Sequence, residues 1–150
     1  MRKLTLVLLS LFAAIPLLAQ TKSLLNLDKH NLAIQGYDPV AFFTDGKAVK
    51  GKAEFKSTYS GATYYFASAE HKADFDKDPA KYEPAFGGYC AYGVSRNKLV
   101  EIDPEAFQIM DGRLILQKSK GVRDDFNKDP QANLAKAKAN WPGLGNKSGK

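Results

Sequence analysis

Apolar residues in this chain come in short bursts between turn-forming residues, and only one burst, residues 4–18, is long and unbroken by any charge. Gly36-Tyr37-Asp38-Pro39 reads as a turn opening the run Val40-Ala41-Phe42-Phe43, which Thr44-Asp45-Gly46-Lys47 closes, and the run is expected to be a short strand. Residues 53–59 alternate with a period near two, Ser60-Gly61 turns the chain, and residues 62–67 are rich in strand formers, so a hairpin is expected. Ser68 is placed to cap a helix over residues 69–77 that Asp78-Pro79 ends. Phe107-Gln108-Ile109-Met110 and Arg113-Leu114-Ile115-Leu116-Gln117 flank Asp111-Gly112, the strongest hairpin signal in the chain. An alanine-rich helix over residues 131–140 should stop at Trp141-Pro142, with Trp141 locking it to the core, and residues 143–150 read as a disordered tail.

Asp74-Phe75-Asp76-Lys77-Asp78-Pro79 returns 51 residues later as Asp125-Phe126-Asn127-Lys128-Asp129-Pro130, each time after a strand-like run. A strand-helix unit used twice explains the recurrence; two unrelated helices ending before proline would explain it as well. The expected class is α+β: one domain over residues 21–142, built as a small antiparallel sheet of short hairpins with packed short helices.

The unbroken run changes the picture of where the chain works. Arg2-Lys3 precede it, it is too short for a membrane span, and it has the form of a signal peptide over residues 1–20, cleaved after Ala19 or Gln20. The protein is therefore expected to be exported, periplasmic or secreted, with no stable membrane insertion after cleavage. Losing Arg2 and Lys3 from the 22 basic side chains leaves 20 against 16 acidic ones, a net charge of +4. The lysines are scattered among acids, without the basic stripe that nucleic acid binding requires.

Cys90 is the only cysteine, so no disulfide holds the domain, and an unpaired thiol in an oxidising compartment is either buried or used. It lies in Gly87-Gly88-Tyr89-Cys90-Ala91-Tyr92-Gly93, where glycines permit close backbone approach. As a candidate it stands against the plain alternative of a small buried hydrophobe. His71 is the candidate imidazole; its plain alternative is a surface histidine satisfied by Glu70 or Asp74. Asp38 and His30 could each add a ligand, although Asp38 precedes proline and reads first as a turn residue, and His30 reads as exposed. Tyr37, Gly87, Gly88 and Tyr89 complete the candidate set, with core packing the simpler use of the tyrosines.

The ordered motifs Gly36-Tyr37-Asp38-Pro39-Val40-Ala41-Phe42-Phe43, Tyr64-Tyr65-Phe66-Ala67-Ser68, Asp78-Pro79-Ala80-Lys81-Tyr82, Gly87-Gly88-Tyr89-Cys90-Ala91, Asp103-Pro104, Asp111-Gly112-Arg113-Leu114 and Asn140-Trp141-Pro142 span nearly the whole exported chain. On them the chain resembles the YHS domain family, in its exported single-domain branch. The resemblance implies a small α+β module similar to metal-carrying domains found beside heavy-metal transport ATPases, where cysteines hold the ion. At the places of those cysteines this chain has Ala41, Ala67 and His71.

Three readings follow. The chain is a module for copper, zinc or another soft or borderline ion, using Cys90 with His71; or a thiol enzyme or redox protein with Cys90 reactive; or a noncatalytic domain binding a small molecule or protein, with Cys90 inert. A homodimer could share a site between protomers, and no haem attachment motif is present.

Overall fold

The computed structural model describes residues 24–147, so the expected signal peptide over residues 1–20 lies outside the described residues. The order of elements is a 3-10 turn at Ile34–Gly36, α1 (Ala41–Thr44), β1 (Lys52–Tyr59), β2 (Ala62–Phe66), α2 (Ala69–Lys77) and α3 (Pro79–Tyr82). A second 3-10 turn at Ala85–Gly88 then leads to α4 (Ala91–Ser95), β3 (Asp103–Met110), β4 (Arg113–Gln117), α5 (Lys120–Phe126) and α6 (Pro130–Lys147). The class is α+β. The hairpins form two separate two-stranded antiparallel sheets rather than one.

The second half repeats the first. Lys52 pairs with Phe66 and Lys56 with Tyr65, an irregularity that leaves three residues of β1 unmatched; 51 residues on, Asp103 pairs with Gln117 and Phe107 with Leu116. Both hairpins turn through two residues with positive φ, Ser60-Gly61 and Asp111-Gly112, the backbone that two-residue hairpins favour. Ser68 accepts a hydrogen bond from the His71 amide and Ser119 one from the Val122 amide, capping α2 and α5. Phe75 and Phe126 are the buried anchors of those helices.

The equivalence reaches further upstream than the sequence motif. Ile34, Gln35 and Gly36 have φ of 51, 53 and 84°, and Phe86, Gly87 and Gly88 have 55, 60 and 84°. Tyr37 and Tyr89 follow, each amide bonding back to the residue that opens the positive-φ run. Next come Asp38 and Cys90, whose amides bond to the carbonyls of Val49 and Val100. Asp38 and Cys90 are therefore counterparts.

Two expectations are corrected. Residues 40–43 are not a strand, because the Asp38 side chain accepts from the amides of Val40 and Ala41 and the chain closes into α1. Val40, Ala41 and Phe42 are all buried, and a run buried on every side has no periodicity to separate strand from helix. The last helix does not stop at Pro142, and the tail is not disordered from Gly143: α6 runs to Lys147 with Pro142 inside it. Burial of Leu144 and anchoring of Asn140, whose side-chain amide donates to the carbonyls of Val94 and Ser95, oppose the proline break.

The core has two parts. The first gathers Val40, Phe42, Tyr64, Phe66, Phe75, Leu114 and Leu116, with Phe42 and Phe107 packed ring to ring at 4.7 Å. The second gathers Phe86, Val94, Ile115, Phe126 and Leu134. Because Leu114 and Leu116 point one way and Ile115 the other, β4 is the layer between the two cores.

Ser68→Ala and Ser119→Ala should each cost about 1 kcal/mol in urea unfolding, the ordinary worth of an N-cap. Equal costs are expected because the two caps have the same geometry.

Candidate functional site

Asp38 has no exposed surface, and its carboxylate is the convergence point of the first repeat. Oδ1 accepts from the amides of Val40 at 2.8 Å and Ala41 at 3.3 Å; Oδ2 accepts from the Ala67 amide at 2.8 Å and from His71 Nδ1 at 2.6 Å. Four donors surround one buried charge, so its desolvation is offset by charge-assisted hydrogen bonds. The expectation that Glu70 or Asp74 satisfies His71 is corrected: its partner is Asp38, 33 residues away.

The bond at Nδ1 fixes the tautomer and turns Nε2 toward solvent at the end of α1. There Nε2 lies 3.4 Å from Thr44 Oγ1 and 3.9 Å from Asp45 Oδ1. The His71 side chain retains 15% of its exposure. Desolvation pulls its pKa down, but the hydrogen bond and charge of Asp38, with the charges of Asp45 and Glu70, outweigh it and hold the imidazole above its ordinary 6.5. Thr44, His71 and Asp38 thus stand in the order of a hydroxyl-imidazole-carboxylate chain. The Thr44 hydroxyl, however, also lies 3.2 Å from the Val40 carbonyl and 3.0 Å from Asp45 Oδ1, acceptors that compete with His71 for its proton.

Cys90 is in different surroundings. It is 1% exposed within the first core, and Sγ donates to Gln117 Oε1 at 3.3 Å, an oxygen that also accepts from the Tyr92 amide at 3.0 Å. Gln117 is itself fully buried, and its Nε2 has no hydrogen-bond partner among the described residues. No hydrogen bond joins Cys90 to His71 among the described residues, where no group of three or more His, Cys, Asp or Glu side chains is arranged to hold a metal ion.

The other candidates serve packing. A Cβ on Gly87 would meet the Leu24 carbonyl oxygen at 2.2 Å and the Trp141 ring at 3.1 Å, so this glycine seats the N-terminal segment and the tryptophan. Gly88 has a φ of 84° and its carbonyl accepts from the Asn26 side chain. Tyr89 packs on Trp141, and Tyr37 lies under Lys50 at 5.0 Å. His30 is exposed, as expected.

Residues 40–85 match the family model of the YHS domain. Over those residues the chain is similar to the YHS domain. The match runs from the start of α1 to the residue after Pro84, which is the body of the first repeat; Cys90 and the second repeat lie beyond it. The comparisons with curated proteins and with solved structures returned no match. The three positions at which the YHS resemblance places cysteines in metal-associated members, Ala41, Ala67 and His71, all bond to the Asp38 carboxylate. They do converge in space, but two of them offer only backbone amides. A thiolate cage is therefore absent at this place, and Cys90 is too enclosed to replace it.

Thr44, Asp45 and Gln117 were not among the sequence candidates. Asp45 read as loop chemistry, and Gln117 read as the end of an apolar strand.

The raised pKa of His71 fixes the sign of a pH effect. Its contribution to stability is complete below about 6.5, the ordinary value expected when unfolded, and is lost as pH rises through the higher folded value. The wild-type melting temperature should fall over that window, and His71→Gln should flatten the fall; an unchanged slope counts against the pair. Asp38→Asn should cost about 3 kcal/mol in urea unfolding, since it removes the charge from a buried, fully bonded pair.

Proposed function

We propose that this chain is an exported, noncatalytic binding domain whose working group is the outward Nε2 of His71, with Cys90 serving the core. The observation that carries the reading is the closure of Cys90, a thiol 1% exposed and bonded to Gln117. A ligand-binding or nucleophilic sulfur needs access and a thiolate, whereas a closed thiol behaves as a small hydrophobe. The run over residues 4–18 behind Arg2-Lys3 supports export.

The family's link to metal handling bears on His71 alone. Its Nε2, with Asp45 and Thr44 within reach, offers one imidazole, one exposed carboxylate and one hydroxyl. This donor set fits a borderline divalent ion such as Zn(II) or Cu(II), held weakly and completed by solvent or a partner's side chain; it does not fit a Cu(I) site, which favours sulfur. Asp38 then acts as the outer carboxylate that orients the imidazole and raises its basicity.

The test is a titration of the reduced protein with Zn(II), beside Cys90→Ser and His71→Gln. Weak one-site binding is expected, unchanged in Cys90→Ser and weakened about tenfold or more in His71→Gln. Loss in Cys90→Ser with retention in His71→Gln would restore the thiol as the ligand and overturn the reading.

A further inference from the structure

A cavity of about 250 Å³ opens beside the second core, away from the His71 and Cys90 surroundings. Phe86, Met110, Ile115, Leu134 and Trp141 make its wall. The repeat explains why it is there. Met110 and Ile115 stand 51 residues after Tyr59 and Tyr64, whose rings pack on Phe75 at 6.2 and 4.8 Å. Aliphatic side chains replace those rings against Phe126, and α6, which is much longer than its counterpart α3, covers the space with Leu134 and Trp141. The Trp141 ring is held edge-on to Phe86 at 6.0 Å.

The rim is polar and carries two cations to one carboxylate: Arg113, Lys138 and Asp111. Lys138 Nζ is 4.0 Å from Asp111 Oδ2, the outer limit of an ion pair, and both side chains are more than half exposed. Arg113 reaches the Glu83 backbone carbonyl at 3.4 Å and its charge also acts on the Glu83 carboxyl, with no hydrogen bond between the two side chains among the described residues, which leaves most of the guanidinium donors for another acceptor. Glu83 itself does not line the cavity. An apolar, aromatic wall beneath a net positive rim matches a ligand with an apolar body and an anionic head. The volume limits that ligand to a small one.

We propose that this cavity binds a small amphipathic carboxylate, of the size of a medium-chain fatty acid, with its chain against Ile115 and Trp141 and its carboxylate against Arg113 and Lys138. The site is independent of the His71 reading and stands or falls separately from it.

Trp141 is the only tryptophan in the sequence, so its fluorescence reports the cavity directly. The experiment titrates the purified protein with octanoate below its micellar concentration, and in parallel with octanol, which has the same chain without the charge. A saturable change in Trp141 emission is expected with octanoate, with octanol about tenfold weaker, a difference of about 1.4 kcal/mol. The double variant Arg113→Gln/Lys138→Gln, at exposed positions that leave the core intact, should bring octanoate down to the level of octanol. A second variant, Ile115→Tyr, restores the residue of the first repeat and should fill the cavity; its circular dichroism checks that it is folded. No saturable change, equal affinity for octanol and octanoate, or full octanoate affinity in the double variant would each overturn the proposal.

Discussion

One buried carboxylate organises the first half of this molecule. Asp38 cannot be removed from water without donors, and the chain supplies four of them from three places: the start of α1, the end of β2 and the side chain of His71. Each of the three places closes a separate piece of structure. The amides of Val40 and Ala41 turn an apolar run into a helical turn, the Ala67 amide ties in the hairpin, and Nδ1 of His71 ties in α2. The cost of desolvating a charge thereby becomes a constraint that all of these segments must meet together.

The second repeat meets the same need with weaker groups. Cys90 takes the place of Asp38, and the acceptor comes instead from Gln117, which stands where the first repeat has Phe66. A thiol and an amide make fewer and weaker bonds than a carboxylate and an imidazole. This half is closed by packing, through Ile115, Phe126 and the long α6. The two halves therefore differ in what they hold: the imidazole with the raised pKa belongs to the first repeat, which the YHS family match covers, while the second repeat contributes the second core, the thiol and the cavity around Trp141.

Both hairpins were legible in the sequence because a two-residue turn with positive φ restricts its residues, and Ser60-Gly61 and Asp111-Gly112 satisfy that restriction locally. The caps at Ser68 and Ser119 are equally local. What the sequence hid was nonlocal. Val40 to Phe43 forms α1 because of a side chain at Asp38 and burial on every face. His71 pairs with a residue 33 positions away instead of with its neighbours on the helix. The repeat showed only where Asp-Phe and Asp-Pro were kept; Ile34-Gln35-Gly36 and Phe86-Gly87-Gly88 share a backbone conformation but almost no side chains. The convergence of Ala41, Ala67 and His71 could be suspected from the family pattern, yet the carboxylate at its centre read as a turn residue.

The account's central claim is that Asp38 holds the His71 ring with Nδ1 inward and Nε2 outward, and the most direct test is an NMR titration of the two ring nitrogens. The account predicts a midpoint above 6.5 and, in the neutral ring, a proton on Nδ1 with the lone pair on Nε2. A midpoint below 6.5, or a neutral ring protonated at Nε2, would contradict it.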